Sequence, residues 1–263
     1  MNAQIPNDLP LHAEPAVLPP PERLQSHTVT AEQLDAQYLF GFRNSDTRAR
    51  PFKLLRSQVL KQCQDRGVKV IGITAPAPNV GKTLVATNLA AAMSRIADLD
   101  IYLIDLDLHR PAVAQRFCME EAQGIHDYLS GDAPDLQSVA RRINDERLAL
   151  LPGFRRNVAT GELLTGATGD ALFAGLRALP SSAIVLVDMP PIFADDDAVI
   201  ISQRIDAYIM VVEDGRTTRK QLRDTVRLLE PTPMLGSVLN RYRNQLFSDD
   251  YGYGFSYGYG GYY

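Results

Sequence analysis

The sequence predicts an α/β fold: a doubly wound, mostly parallel sheet with helices on both faces. Two observations carry this. Short β-branched apolar runs alternate with longer segments of helical period through the middle of the chain. The runs are also apolar at nearly every position, the pattern of strands buried on both faces in a parallel sheet covered by helices.

The elements follow in order. Residues 1–30 hold six prolines, including "LPPPE" at 18–22, and read as a flexible or polyproline-like leader extending to residue 45. Within it, "TAEQLDAQYLF" (30–40) suits a short helix. "PFKLLRSQVLKQCQ" (51–64) carries a helical apolar pattern through Phe52, Leu55, Val59 and Leu60, with Pro51 suited to a helix start. Strands are expected at 68–74, 100–105, 183–188, 206–213 and 234–240, and helices at 82–97, 170–179 and 218–230. One doubly wound α/β domain over 46–246 is the expected organisation. The segment 247–263 lacks apolar periodicity and has glycine at 252, 254, 258, 260 and 261, so it is expected to be disordered.

Composition narrows the function classes. At 263 residues and 45% hydrophobic, the chain can bury a substantial core. A formal charge of −4 offers no bulk attraction to nucleic acid, and no nucleic-acid partner is expected. Cys63 and Cys118 have no metal-ligand spacing and read as reduced thiols. No apolar run reaches the roughly 18–20 residues needed to cross a bilayer, and there is no secretory leader pattern. A cytoplasmic location is expected, with any membrane work left to a partner.

The chemistry concentrates at three places. "TAPAPNVGKTLVATNLA" (74–90) sets Gly81-Lys82-Thr83 between a strand and a helix, as in a P-loop, although Pro76 stands where the usual first glycine would be. Such a loop holds phosphate oxygens on backbone amides and a helix N-terminus. Pro78, Asn79, Val80, Gly81, Lys82, Thr83 and Leu84 are therefore the candidate nucleotide-binding residues. Lys82 would reach the β- and γ-phosphates and the Thr83 hydroxyl would hold Mg²⁺. "IYLIDLDLHRP" (101–111) and "IVLVDMPP" (184–191) each end a strand on aspartate, giving Asp105, Asp107 and Asp188. Ligands of open parallel sheets bind beyond the carboxyl ends of the strands, so all three acids are expected to face the loop. Carboxylates there can hold Mg²⁺ or take a proton from an attacking hydroxyl.

Together "APNVGKT", "IDLDLHRP" and "VLVDMPP" resemble the Walker A, A′ and B motifs of bacterial tyrosine kinases that regulate capsule and exopolysaccharide synthesis. The resemblance continues through "GIHDYLSG", "GELL", "PPIFADDDAVI" and "GSVLN" and spans roughly residues 50–263. It implies a P-loop NTPase-like fold, ATP and Mg²⁺ as cofactors, and autophosphorylation in trans of a C-terminal tyrosine cluster. Lys82, Asp105 and Asp107 become the catalytic set, with one of the aspartates the base. Thr83, Asp105 and Asp188 become the metal set, and Asn240 a contact to adenine. Tyr251, Tyr253, Tyr257, Tyr259, Tyr262 and Tyr263 become the acceptors. The family also implies self-association and a separate membrane-bound activator, a polysaccharide co-polymerase, that recruits the kinase to the inner face of the membrane.

The chain departs from the family pattern at His109, where arginine is usual, and at Arg50 and Lys53, which replace the glutamate and first arginine of an oligomerisation motif that keeps Arg56. Two other readings remain open. One is a catalytically weak nucleotide-binding adaptor of a polysaccharide export complex. The other is a partitioning-type ATPase, against which Ala77 stands where those enzymes carry an extra lysine.

Overall fold

A computed structural model describes residues 14–156 and 160–242. Its strands are β1 (Ser26–His27), β2 (Val70–Thr74), β3 (Asp100–Asp105), β4 (Arg141–Ile143), β5 (Leu148–Leu151), β6 (Ala183–Asp188), β7 (Ala207–Glu213) and β8 (Met234–Asn240). They form one sheet in the order β1-β4-β5-β3-β6-β2-β7-β8. All neighbours are parallel except β4 and β5, so β1 and β4 run against the rest. The expected mostly parallel, doubly wound α/β sheet is what the chain forms.

Alternation along the central strands fills both faces. Ile101 and Leu103 of β3 pack with Ile71, Ile73, Leu89, Met93 and Leu186 on one side of the sheet. Tyr102 and Ile104 pack with Val185, Val187, Leu172, Phe173 and Leu176 on the other. Successive side chains of a strand point to opposite faces, so these continuous apolar runs need a helix layer on each side.

On the first face lie α1 (Ala31–Ala36), α2 (Arg50–Arg66) and α3 (Lys82–Met93). Helix α2 begins with Pro51 in its first turn, ends on Gly67 at φ 66°, and buries Val59 and Cys63. Helix α3 is buried almost all round, since α2 covers the side that the sheet does not. The short α4 (Val113–Arg116) follows β3. On the other face lie α5 (Ile125–Ser130), α6 (Leu136–Val139), α7 (Thr160–Thr165), α8 (Ala167–Ala178) and α9 (Asp197–Ser202). Helix α10 (Arg219–Leu229) starts with a Thr218–Gln221 capping box and leads into the edge strand β8. Among the described residues, no helix is long and apolar enough to cross a membrane.

The expected flexible leader does not describe residues 14–45. Leu18, Leu24, Val29, Leu34 and Leu39 are buried, and Ser26–His27 pairs with β4 at the sheet edge. The Ala16 amide donates to the Ala171 carbonyl of α8 at 2.9 Å. Gly175 permits that approach, because a Cβ there would lie 2.1 Å from the Ala16 oxygen. This N-terminal strap is fastened to α3 through one side chain. Asn88 Oδ1 accepts the Phe40 and Gly41 amides at 2.7 and 3.0 Å, and its Nδ2 donates to the Tyr38 carbonyl at 2.9 Å. Extended, proline-bearing backbone suits such a strap, which covers a helix without needing a donor at every residue.

Candidate nucleotide site

The parallel register assembles the site. Asp105 and Asp188 are paired residues at the ends of adjacent strands β3 and β6, and Asp188 also pairs with Ile73 near the end of β2. The loop after β2 therefore begins beside two carboxylates. That loop turns through Asn79 at φ 62° and Gly81 at φ 100° before α3 starts at Lys82. A side chain at Gly81 would be strained by its backbone and would also meet Asn240 Nδ2 at 2.1 Å.

Lys82 Nζ donates to Asp107 Oδ2 at 2.6 Å and lies 3.6 Å from Asp188 Oδ1. The Thr83 hydroxyl donates to Asp188 Oδ2 at 2.6 Å. The chain thus brings Lys82, Thr83, Asp107 and Asp188 together as the sequence anticipated. Burial works against the ammonium of Lys82, but the carboxylates of Asp188 and then Asp107 outweigh it, and its pKa is raised. Burial raises the Asp188 carboxyl in spite of that lysine. Asp105 is pushed up too, first by burial and then by the neighbouring Asp188 charge.

The Asp105 carboxylate accepts backbone amides. Its Oδ2 accepts the amides of Ala112 and Val113, both at 3.0 Å, and its Oδ1 accepts the Asp107 amide at 3.2 Å. These bonds shape the turn into α4, and Asp107 is the carboxylate that lines the cleft. Asp107 Oδ1 in turn accepts the Arg110 amide at 3.1 Å.

A cleft of about 340 Å³ opens over these groups. It is lined by the P-loop residues Pro78, Asn79, Gly81, Lys82, Thr83 and Leu84 and by Asp107, Arg110 and Arg116. Val80 points into the core instead, and its carbonyl accepts the Asn240 amide at 2.7 Å. Asn240 thus braces the loop, and Arg241, held to Glu213 at 3.0 Å, lines the cleft mouth next to it.

The residues fit a magnesium nucleotide. A loop of left-handed backbone opening a helix offers its amides to phosphate. Asp188 Oδ1 is buried without a hydrogen-bond partner among the described residues, and the atoms that could ligate a metal beside it, Asp188 Oδ2 and the Thr83 hydroxyl, are oxygens, the ligand type Mg²⁺ prefers. Among the described residues, no three His, Cys, Asp or Glu side chains form a ready-made metal cage. Mg²⁺ in phosphate-handling sites needs none, because it keeps waters and binds one or two carboxylates plus phosphate.

Sequence reasoning missed the surroundings of His109. Its Nε2 lies 2.8 Å from the Thr160 hydroxyl, 3.2 Å from Asp195 and 3.4 Å from Asp197. Thr160 donates to the buried Asp197 at 2.6 Å. His109 therefore ties the loop after β3 to α7 and α9. Lys53 donates to the Asn44 carbonyl and Arg56 to the Ala92 carbonyl at 3.0 Å, so two residues of the altered motif hold the strap and α3. The six tail tyrosines lie outside the described residues.

Comparison with known proteins places these features in a wider group. Residues 71–251 match the CobQ/CobB/MinD/ParA nucleotide binding domain. EpsB of Ralstonia nicotianae is 30% identical over 232 residues, which cover 84% of this chain but 29% of EpsB. The tyrosine-protein kinase YwqD of Bacillus subtilis is 26% identical over 204 residues, covering 77% of this chain and 84% of YwqD. Among solved structures, the BceF tyrosine kinase domain superposes with a TM-score of 0.67 at 25% identity, covering 82% of this chain and 90% of that one.

Proposed function

Because the chain belongs to the CobQ/CobB/MinD/ParA nucleotide-binding family, in its bacterial tyrosine-kinase branch, we propose that it is an ATP-dependent protein-tyrosine autokinase. It transfers the γ-phosphoryl group to tyrosines of its own C-terminal cluster, on another copy of the chain. The observation that carries this reading is Lys82 held between Asp107 and Asp188 at the start of α3, with Thr83 on Asp188.

Phosphoryl transfer asks a protein for positioning and charge neutralisation rather than covalent chemistry. The amides around Gly81 orient the phosphates, and Lys82 moves from Asp107 toward the β- and γ-oxygens. That move frees Asp107 Oδ2 to accept the proton of an incoming tyrosine hydroxyl. Asp105 keeps Asp107 in place by holding the turn, while Asp188 and Thr83 would hold the metal. Mg²⁺, when bound with ATP, neutralises charge on the β- and γ-phosphates.

The acceptors are Tyr251, Tyr253, Tyr257, Tyr259, Tyr262 and Tyr263. Each phosphotyrosine carries about −1.5 to −2 charge, so full modification adds roughly −9 to −12. A segment so charged repels itself and no longer offers acceptor hydroxyls, which links phosphorylation to release from the neighbouring copy. A separate membrane-bound activator would couple this cycle to exopolysaccharide polymerisation and export at the inner face of the membrane. The family resemblance supports that last step.

The test is incubation of the purified chain with Mg-ATP followed by phosphotyrosine detection. Wild type should label, and Lys82→Met or deletion of 251–263 should remove the label. Equal labelling of either variant would refute the scheme. Nucleotide binding without any labelling, with or without a membrane activator, would favour the adaptor reading instead.

A further inference from the structure

Arg116 belongs to none of the motifs that identify the site, yet it lines the cleft. It is the last residue of α4, whose leading amides are held by Asp105, so the carboxylate that shapes the turn after β3 also aims this side chain. Arg116 lines the cleft together with Lys82, Thr83, Asp107 and Arg110.

Its partners set it apart from the other cleft cations. Lys82 is paired with Asp107 and Arg241 with Glu213. Arg116 donates through Nη1 to the Gln37 carbonyl of the strap at 2.9 Å. Among the described residues, no carboxylate lies within ion-pair distance of it, and unlike the exposed Arg110 it is half-buried. Burial disfavours its charge, with Asp188 the foremost attraction acting in the other direction. A partly desolvated guanidinium without a counter-ion is unfavourable unless an anion completes the site, and its planar fork suits phosphate.

The strand order gives the direction. Asn240 and Arg241 stand at the end of β8, on one side of the loop. Arg116 stands beyond β3, on the other side, with the Lys82–Asp107 pair. With its base on the Arg241 side, a nucleotide whose phosphates lie over Lys82 would present its terminal phosphate toward β3.

We propose that Arg116 binds the terminal phosphate of the bound nucleoside triphosphate, and that its bond to Gln37 makes the N-terminal strap part of the phosphate-binding wall. This rests on the nucleotide-binding reading of the cleft and not on tyrosine as the acceptor.

The test is calorimetric binding of Mg-ADP and of a non-hydrolysable Mg-ATP analogue to the full chain. It compares wild type with Arg116→Ala, Arg116→Gln and Arg116→Lys. Loss of a charge-assisted bond should weaken the triphosphate analogue about 10-fold or more in the Ala and Gln variants, with ADP affinity changed less than about 2-fold. Arg116→Lys should restore part of the loss. Gln removes the charge but keeps a polar side chain of intermediate length, so a folded Gln variant carries the comparison if the Ala variant unfolds. Equal weakening of both nucleotides, or no weakening of either, would overturn the assignment. Failure to label tyrosine would remove the kinase reading and leave this binding difference standing.

Discussion

Gly81→Ala tests whether the loop and β8 are coupled as the structure requires. The residue sits at φ 100°, and an added Cβ would lie 2.1 Å from Asn240 Nδ2. Backbone strain at such an angle costs on the order of 1–2 kcal/mol. Displacing the Asn240 amide also breaks its 2.7 Å bond to the Val80 carbonyl, adding about 0.5–1.5 kcal/mol. The sum is about 1.5–3.5 kcal/mol, or roughly a 3–14 °C fall in Tm for a domain of this size. Gly131→Ala is the control, since its φ of 84° imposes strain while nothing lies within 4 Å of the added carbon; it should cost about 1–2 kcal/mol. The assay is urea unfolding of both variants, alone and combined with Asn240→Ala. In the Asn240→Ala background the cost of Gly81→Ala should fall by about 1 kcal/mol toward the control value. If Gly81→Ala costs no more than Gly131→Ala, or if removing Asn240 changes nothing, the proposed contact is not what makes glycine necessary.

Two further outcomes follow from other parts of the fold. Asn88→Ala leaves the buried Phe40 and Gly41 amides without their acceptor, so it should destabilise by about 2–4 kcal/mol and raise hydrogen exchange at those two amides; unchanged exchange would mean that the strap is held elsewhere. The Cys63 thiol is pushed up to about 11 by burial and, less strongly, by Asp206. The unfolded thiol ionises near pH 9, below the folded value, so this contribution is intact below pH 9 and is lost as pH rises toward 11. Wild type should therefore lose on the order of 2 kcal/mol more than Cys63→Ala over that window in unfolding titrations, and parallel slopes would refute the shift.

Legibility in the sequence followed the range of the interactions. Central strands such as β3 and β6 were readable because both faces are buried, which leaves an unbroken apolar run ending in aspartate. The strands β1, β4 and β5 were not, because two residues, the charged "RRI" and a four-residue "LALL" carry no usable period and depend on partners far along the chain. The strap was misread for a similar reason. Its buried leucines are scattered among prolines, and what fixes them lies far along the chain: Ala171 for Ala16, β4 for Ser26–His27, and Asn88, nearly fifty residues away, for Phe40. At the site, Lys82, Thr83, Asp107 and Asp188 were legible because a strand-end rule places them. The braces were hidden: Asp105 on the α4 amides, Asn240 on Val80, His109 on Thr160 and Arg116 on Gln37 are contacts between elements with no spacing rule of their own.

The central claim is tested most directly by mass spectrometry of residues 243–263 before and after incubation with Mg-ATP, for wild type and for Lys82→Met mixed with a kinase-competent chain. The account predicts phosphate on tail tyrosines of the wild type, none on Lys82→Met alone, and its appearance on Lys82→Met once the competent chain is added. Phosphate on Lys82→Met alone, or a wild-type tail that stays unmodified with a membrane activator present, would contradict it.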